Sequence, residues 1–233
     1  MTSYRLALLL SLVMPLAFAA SGESLSGAAL VKALRHGGYV LVMRHASSPM
    51  QPPDAASAES DNPNHERQLD QAGKDSATAF GRALHQLAVP TGTVDASPTY
   101  RALETARLAG LSAKPTEQLA EGPAGMQGMQ GMQGMGPGQG MGQGQGMGQG
   151  GMMGHIDSQR TAWLKKAVAT PPPPGTNTVL ITHMPNVMAA FGADAQGLAA
   201  GEALVFQPDG HGGAKLVARV PIGEWTTLAA AAP

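Results

Sequence analysis

Three separated fragments carry residue types that together suit a phosphate dianion. VLVMRHA ends an apolar run with Arg44 and His45, SPTYRALETA supplies Ser97, Pro98 and Arg101, and VLITHMPN ends a second apolar run with His183. In α/β proteins ligands gather outside the carboxyl ends of strands. Fragments of this kind that deliver two arginines and two histidines therefore describe one site. A transferring phosphoryl group spreads charge over three equatorial oxygens, so its catalysis is mostly positioning and electrostatic complementarity. Arginine stays charged and can grip two oxygens at once, which suits Arg44 and Arg101 to substrate binding.

A nucleophilic imidazole must be neutral, and with an ordinary pKa near ~6.5 it is largely so at neutral pH. Neighbouring guanidinium groups favour that form further. His45 is read as the nucleophile, with a backbone carbonyl holding one ring N–H so that the other nitrogen faces phosphorus. His183 is read as a donor to the phosphoryl oxygens, sharing substrate binding with the two arginines. The leaving alkoxide needs a proton, and Glu121 in EQLAEG is the candidate donor, with Glu117 as its rival because neither spacing nor local pattern fixes which carboxylate turns inward. Taken alone, His183 reads as structural and Arg101 as an exposed helix residue; their value comes from company. Arg67 is assigned to loop packing rather than phosphate binding. His65, His85, His155 and His211 are expected at solvated positions. A literal Arg-His-Gly at Arg35, His36 and Gly37 precedes the first strand and reads as a helix end, with cations at the negative terminus and a glycine cap.

The elements that must position these residues alternate. A helix over SLSGAALVKALRHGG leads to a strand at 39–43, apolar throughout as suits a sheet interior. A polar, Pro-rich loop from Ser47 to Arg67 precedes a helix capped by Asp70, whose apolar face includes Ala77, Phe80, Leu84 and Leu87. A strand at 93–97 and a helix from Pro98 to Leu111 follow, with Pro98 in the first turn. Farther on come a helix from Ile156 to Ala169, a strand at 178–182, a helix from Pro185 to Phe191, a hairpin of strands at 203–207 and 214–220, and a short helix around Glu224–Ala230. Such alternation argues for a three-layer α/β/α sandwich with a mostly parallel central sheet.

Composition bounds the rest. Of 233 residues, the first carry Arg5, an apolar run from Leu6 to Ala19 and an A-x-A signal at Ala17 and Ala19, which reads as a signal peptide over 1–19 cleaved before Ala20. A periplasmic or secreted protein without stable membrane insertion is expected. With no cysteine, its stability must come from a packed core. A net charge of −1 with no basic stripe gives no footprint for nucleic acid. Residues 125–154 contain only Gly, Met, Gln and one Pro, and are read as a disordered insertion within a single domain spanning 20–233. Loop-closure cost grows by only about 0.6 kcal/mol per doubling of length, so a domain tolerates it. Its eight methionines also admit a second class of function, binding of Cu(I) by thioethers. A phosphate-binding protein without turnover is a third.

The residues resemble the histidine phosphatase superfamily, of phosphoglycerate mutase-like fold. Arg44-His45-Ala46 stands where that family carries Arg-His-Gly, Ser97-Pro98-x-x-Arg101 is followed by the similar ETA, Thr182-His183 matches the second histidine motif, and ERQLDQAG at 66–73 is similar to the segment before the second helix. The resemblance implies a metal-independent, cofactor-free phosphohistidine mechanism built on Arg44, His45, Arg101 and His183, acting on a phosphorylated small molecule or glycan. Three features depart from the pattern. Ala46 replaces glycine, Met184 follows His183 where the acid-phosphatase and phytase branch has Asp, and the insertion sits just after the expected donor.

Overall fold

The computed structural model describes residues 24–121 and 149–232. Six strands, β1 (Val40–Arg44), β2 (Thr91–Ala96), β3 (Lys114–Pro115), β4 (Asn177–Thr182), β5 (Ala203–Pro208) and β6 (Ala214–Val220), form one sheet in the order β3-β2-β4-β1-β5-β6. β1 through β4 run parallel, and β5 is antiparallel to both β1 and β6, so the sheet is mostly parallel as expected. β4 lies between β1 and β2, although it is more distant in sequence. Arg44 pairs with Thr182 and Ala96 with Ile181, so three strands end level with one another.

Alternation along β1 and β4 builds two cores, because successive side chains point to opposite faces. Leu41 and Met43 join Leu30, Leu34, Phe80, Ile181 and Trp225 on one face. Val40 and Val42 join Leu164, Val168, Leu180 and Val187 on the other. The first face is covered by α1 (Gly27–His36), α2 (Gln71–Gln86), α3 (Tyr100–Leu108) and α6 (Glu224–Ala231), where Phe80 and Trp225 meet edge to face at 5.2 Å. The second is covered by α4 (Gln149–Ala169) and α5 (Met184–Phe191). The result is the three-layer α/β/α sandwich.

Several boundaries differ from the sequence reading. β1 runs one residue later, so Arg44 is its last member, and β2 starts at Thr91. α3 begins at Tyr100 with Thr99 as its N-cap, which leaves Pro98 outside the helix, and it ends at Leu108 rather than Leu111. The short β3 and the 3-10 turn at Glu117–Leu119 are additions, since two residues of strand and three of turn carry no readable period. α4 starts at Gln149, so residues 149–154 of the low-complexity stretch are helical. Once a helix is nucleated, each added residue gains a hydrogen bond at little further cost. The leader at 1–19 and residues 125–148 lie outside the described residues.

Arg35, His36 and Gly37 end α1, as expected. Arg35 Nε donates to the Leu87 carbonyl at 2.6 Å, and Gly37 sits at φ 82°. The cap of α2 has a second task. Asp70 accepts from Gly73 N at 2.7 Å and from Ser47 Oγ at 2.6 Å, so the helix start is tied to the chain just beyond His45. Gly73 allows that approach, because a Cβ there would lie 2.1 Å from the Ser47 carbonyl oxygen. Gly73→Ala is expected to lower unfolding free energy by about 1–3 kcal/mol, whereas Gln71→Ala on the exposed face stays within about 0.5 kcal/mol. Chemical denaturation checks this, and equal effects would contradict the close approach.

Candidate active site

The level strand ends place Arg44, His45, Ser97 and His183 side by side, and α3 brings Arg101 across them. His45 is 5% exposed, Arg101 4%, His183 1% and Ser97 fully buried. Backbone groups fix the frame: His45 N donates to Thr182 O at 3.0 Å and Ser97 N to Ile181 O at 2.8 Å. All four arginine and histidine residues read from the sequence therefore converge.

A guanidinium only donates, so its partners reveal where each imidazole keeps a lone pair. Arg101 Nε donates to His45 Nε2 at 3.2 Å, which makes Nε2 the acceptor and leaves the proton on Nδ1. Nδ1 lies 2.8 Å from the Ala46 carbonyl and donates to it. This is the carbonyl-held tautomer expected for a nucleophile. The terminal nitrogen Nη2 of Arg101 donates to His183 Nδ1 at 3.1 Å, so His183 carries its proton on Nε2, which donates to Ser97 Oγ at 2.8 Å. In this state His183 presents an acceptor toward Arg101, and it becomes a donor there only once Nδ1 is protonated.

Burial, reinforced by the Arg101 charge, pushes His45 down to about 3 and His183 down to about 2. Both rings are thus neutral at pH 7. Burial also lowers Arg44, whose Nη1 donates to Leu198 O at 3.0 Å. Among the described residues its buried Nε has no hydrogen-bond partner.

Glu121 forms an ion pair with Arg101 Nη2, and Arg160 of α4 donates to its backbone carbonyl at 3.4 Å. Its rival Glu117 is exposed on the 3-10 turn. Arg67 does pack the loop, donating to the Pro49 carbonyl at 2.7 Å and the Ser48 carbonyl at 3.4 Å. It is also half-buried, close enough for its charge to act on His45, His183 and Arg101, and its own positive form is disfavoured first by burial. His65, His85 and His211 are exposed, and the side chain of His155 lies outside the described residues.

Supporting residues escaped the sequence reading. Thr105 Oγ1 accepts from Ala46 N at 3.1 Å and donates to Arg101 O at 2.8 Å, bridging two of the motifs. Glu104 accepts from Leu69 N at 3.0 Å, tying down the end of the Ser47–Arg67 loop. Both lie in the ETA that follows Arg101, the one signal that could have flagged them. Ala46 is fully buried and its φ is not positive, which explains why a methyl group is accepted there. Among the described residues no group of three or more His, Cys, Asp or Glu could hold a metal ion.

No protein-family model matches the chain, and no curated protein matches it significantly. Among solved structures, it is similar to the protein histidine phosphatase SixA complexed with tungstate, at 18% identity and a TM-score of 0.47 over 80% of this chain and 98% of that one. A phosphohistidine phosphatase SixA from Agrobacterium tumefaciens is similar at 13% identity and 0.47 over 79% and 98%. One from Nakamurella multipartitia is similar at 17% and 0.46 over 79% and 95%.

The two buried histidines make the fold acid-sensitive. Their folded pKa values lie below the ordinary 6.5, so between about pH 3 and 6.5 the unfolded chain binds more protons, and stability falls as pH drops through that range. Each histidine contributes a slope of up to about 1.4 kcal/mol per pH unit. Denaturation of wild type and the His45→Gln/His183→Gln double variant at about pH 7.5 and about pH 4.5 checks this. The variant is expected to lose less stability on acidification, and an equal loss would contradict the assignment.

Proposed function

We propose that this protein is a phosphomonoesterase that works through a phosphohistidine at His45. The observation that carries this reading is the His45 ring: neutral, its Nδ1–H fixed on the Ala46 carbonyl and its Nε2 lone pair facing Arg101. An incidental strand-end histidine has no need of a carbonyl-locked tautomer beneath a guanidinium. A third arginine and a carboxylate at the same place fit a dianionic substrate that must also release an alkoxide.

Arg101 turns its N–H groups from the imidazoles to the phosphoryl oxygens as substrate enters, and Arg44 grips the same group from the end of β1. His45 Nε2 attacks phosphorus in line, forming a P–N bond as the ester P–O bond breaks. The leaving oxygen takes a proton from Glu121, which must reach this step in its acid form. His183 takes a proton at Nδ1 from the monoanionic form of the ester as it binds, and donates it back as a hydrogen bond to the equatorial oxygens while Ser97 accepts from its other nitrogen. The Glu121 carboxylate then takes a proton from water, whose oxygen attacks phosphorus as the P–N bond breaks. Phosphate leaves and His45 is regenerated.

The Arg5-plus-apolar leader supports export, and the loop that ends at Arg67, whose charge reaches both histidines, supports selection of a small or glycan-linked monoester. An exported chain meets phosphorylated envelope sugars more readily than cytosolic intermediates. Expression in a Gram-negative host with N-terminal sequencing tests export, with a mature chain beginning at Ala20 expected and an intact Met1 contradicting it.

Wild type is expected to hydrolyse a generic phosphomonoester and to yield an acid-labile, base-stable phosphoenzyme on rapid quench. His45→Ala removes both, lowering kcat by at least about 10³-fold. Binding of phosphate without turnover or phosphoenzyme in wild type would establish the non-catalytic alternative instead.

A further inference from the structure

We infer that Asn186 positions the Glu121 carboxylate, an assignment that rests on the phosphatase reading and extends it. Asn186 lies in the first turn of α5, three residues after His183, and is half-buried. Its side-chain nitrogen donates to Ala120 O at 2.8 Å and Leu119 O at 3.1 Å, and approaches Thr182 Oγ1 at 2.9 Å. Thr182 Oγ1 gives its own proton to Leu119 O at 2.8 Å, so it faces Asn186 with a lone pair. Two N–H bonds thus serve three oxygens, all within two residues of either Glu121 or His183.

The clamp has a specific mechanical consequence. Leu119 is fully buried, and Leu119 N and Ala120 N close the 3-10 turn on Thr116 O and Glu117 O, which leaves the carbonyls of Leu119 and Ala120 as the handles on the segment that carries Glu121. Asn186 holds both handles. Because it stands on the helix that His183 caps, it joins the proton donor and the phosphoryl-stabilising imidazole in one rigid unit, while Arg160 secures the Glu121 carbonyl from α4. A general acid works only within hydrogen-bond reach of the leaving oxygen, and a displacement of about 1 Å can cost about 10²-fold in rate. Asparagine contributes little to helix stability at such a position, since its amide competes with the backbone. Its placement is better explained by the two carbonyls it holds.

Asn186 does not touch the substrate in this scheme, so the test must separate donor placement from general damage. Asn186→Ala and Asn186→Asp, the latter setting carboxylate oxygens against carbonyl oxygens, are assayed on 4-nitrophenyl phosphate, whose phenolate leaves unaided, and on an alkyl phosphate, whose alkoxide needs the proton. The expected kcat/KM, which reports only the steps up to phosphoenzyme formation and so excludes the hydrolysis common to both esters, falls about 10- to 100-fold on the alkyl ester and stays within about threefold on the aryl ester. The ratio of the two is independent of the folded fraction, because both are read on one preparation. Glu121→Gln/Asn186→Ala is expected to be no slower than Glu121→Gln on the alkyl ester, as for residues that act as a unit. Equal losses on the two esters, or losses that add in the double variant, overturn the positioning role while leaving hydrolysis by His45 in place. A wild type that hydrolyses neither ester overturns the phosphatase reading itself.

Discussion

One guanidinium group determines the state of this site. Arg101 donates to Nε2 of His45 and to Nδ1 of His183, and since it has no acceptor, each imidazole must offer a lone pair at that nitrogen. The remaining protons then have single destinations: the Ala46 carbonyl for His45 and the Ser97 hydroxyl for His183. The same positive charge, added to burial, holds both rings neutral. The tautomer and charge of His45 and the orientation of His183 all follow from where that side chain sits.

Its position is over-determined. Thr105 accepts from the backbone of Ala46 and donates to the backbone of Arg101, so the helix that carries the guanidinium and the strand end that carries His45 share one hydroxyl. Glu104, from the same turn, holds the chain at Leu69, and Asp70 beside it holds Ser47. The bonds from Thr105 and Asp70 end within two residues of His45. The cationic surroundings are balanced in part by Glu121, which pairs with Arg101.

Legibility was uneven, for physical reasons. The apolar runs at β1 and β4 were plain because strands buried on both faces need continuous hydrophobicity, and the Asp70 cap was plain because its chemistry is local. Pro98 misled: its compatibility with a first helical turn is real, yet Thr99 is the residue with cap geometry. β3 and the 3-10 turn left no trace in the sequence, being too short for any period. Arg67 was read for its loop contacts alone, and these are present, but its charge also reaches both histidines. The two-carbonyl grip of Asn186 was out of reach, because its partners lie more than sixty residues away.

The amino-acid sequence by itself determined which chemistry was on offer, since residue type sets charge, donor number and ordinary pKa, and strand-ending position follows from local hydrophobic pattern. Tertiary structure alone decided that β4 slots between β1 and β2, that Glu121 rather than Glu117 meets Arg101, and which nitrogen of each ring bears its proton. Those outcomes depend on distances between groups remote along the chain, and hydrogen bonding and Coulomb energy are functions of such distances, which no local pattern encodes.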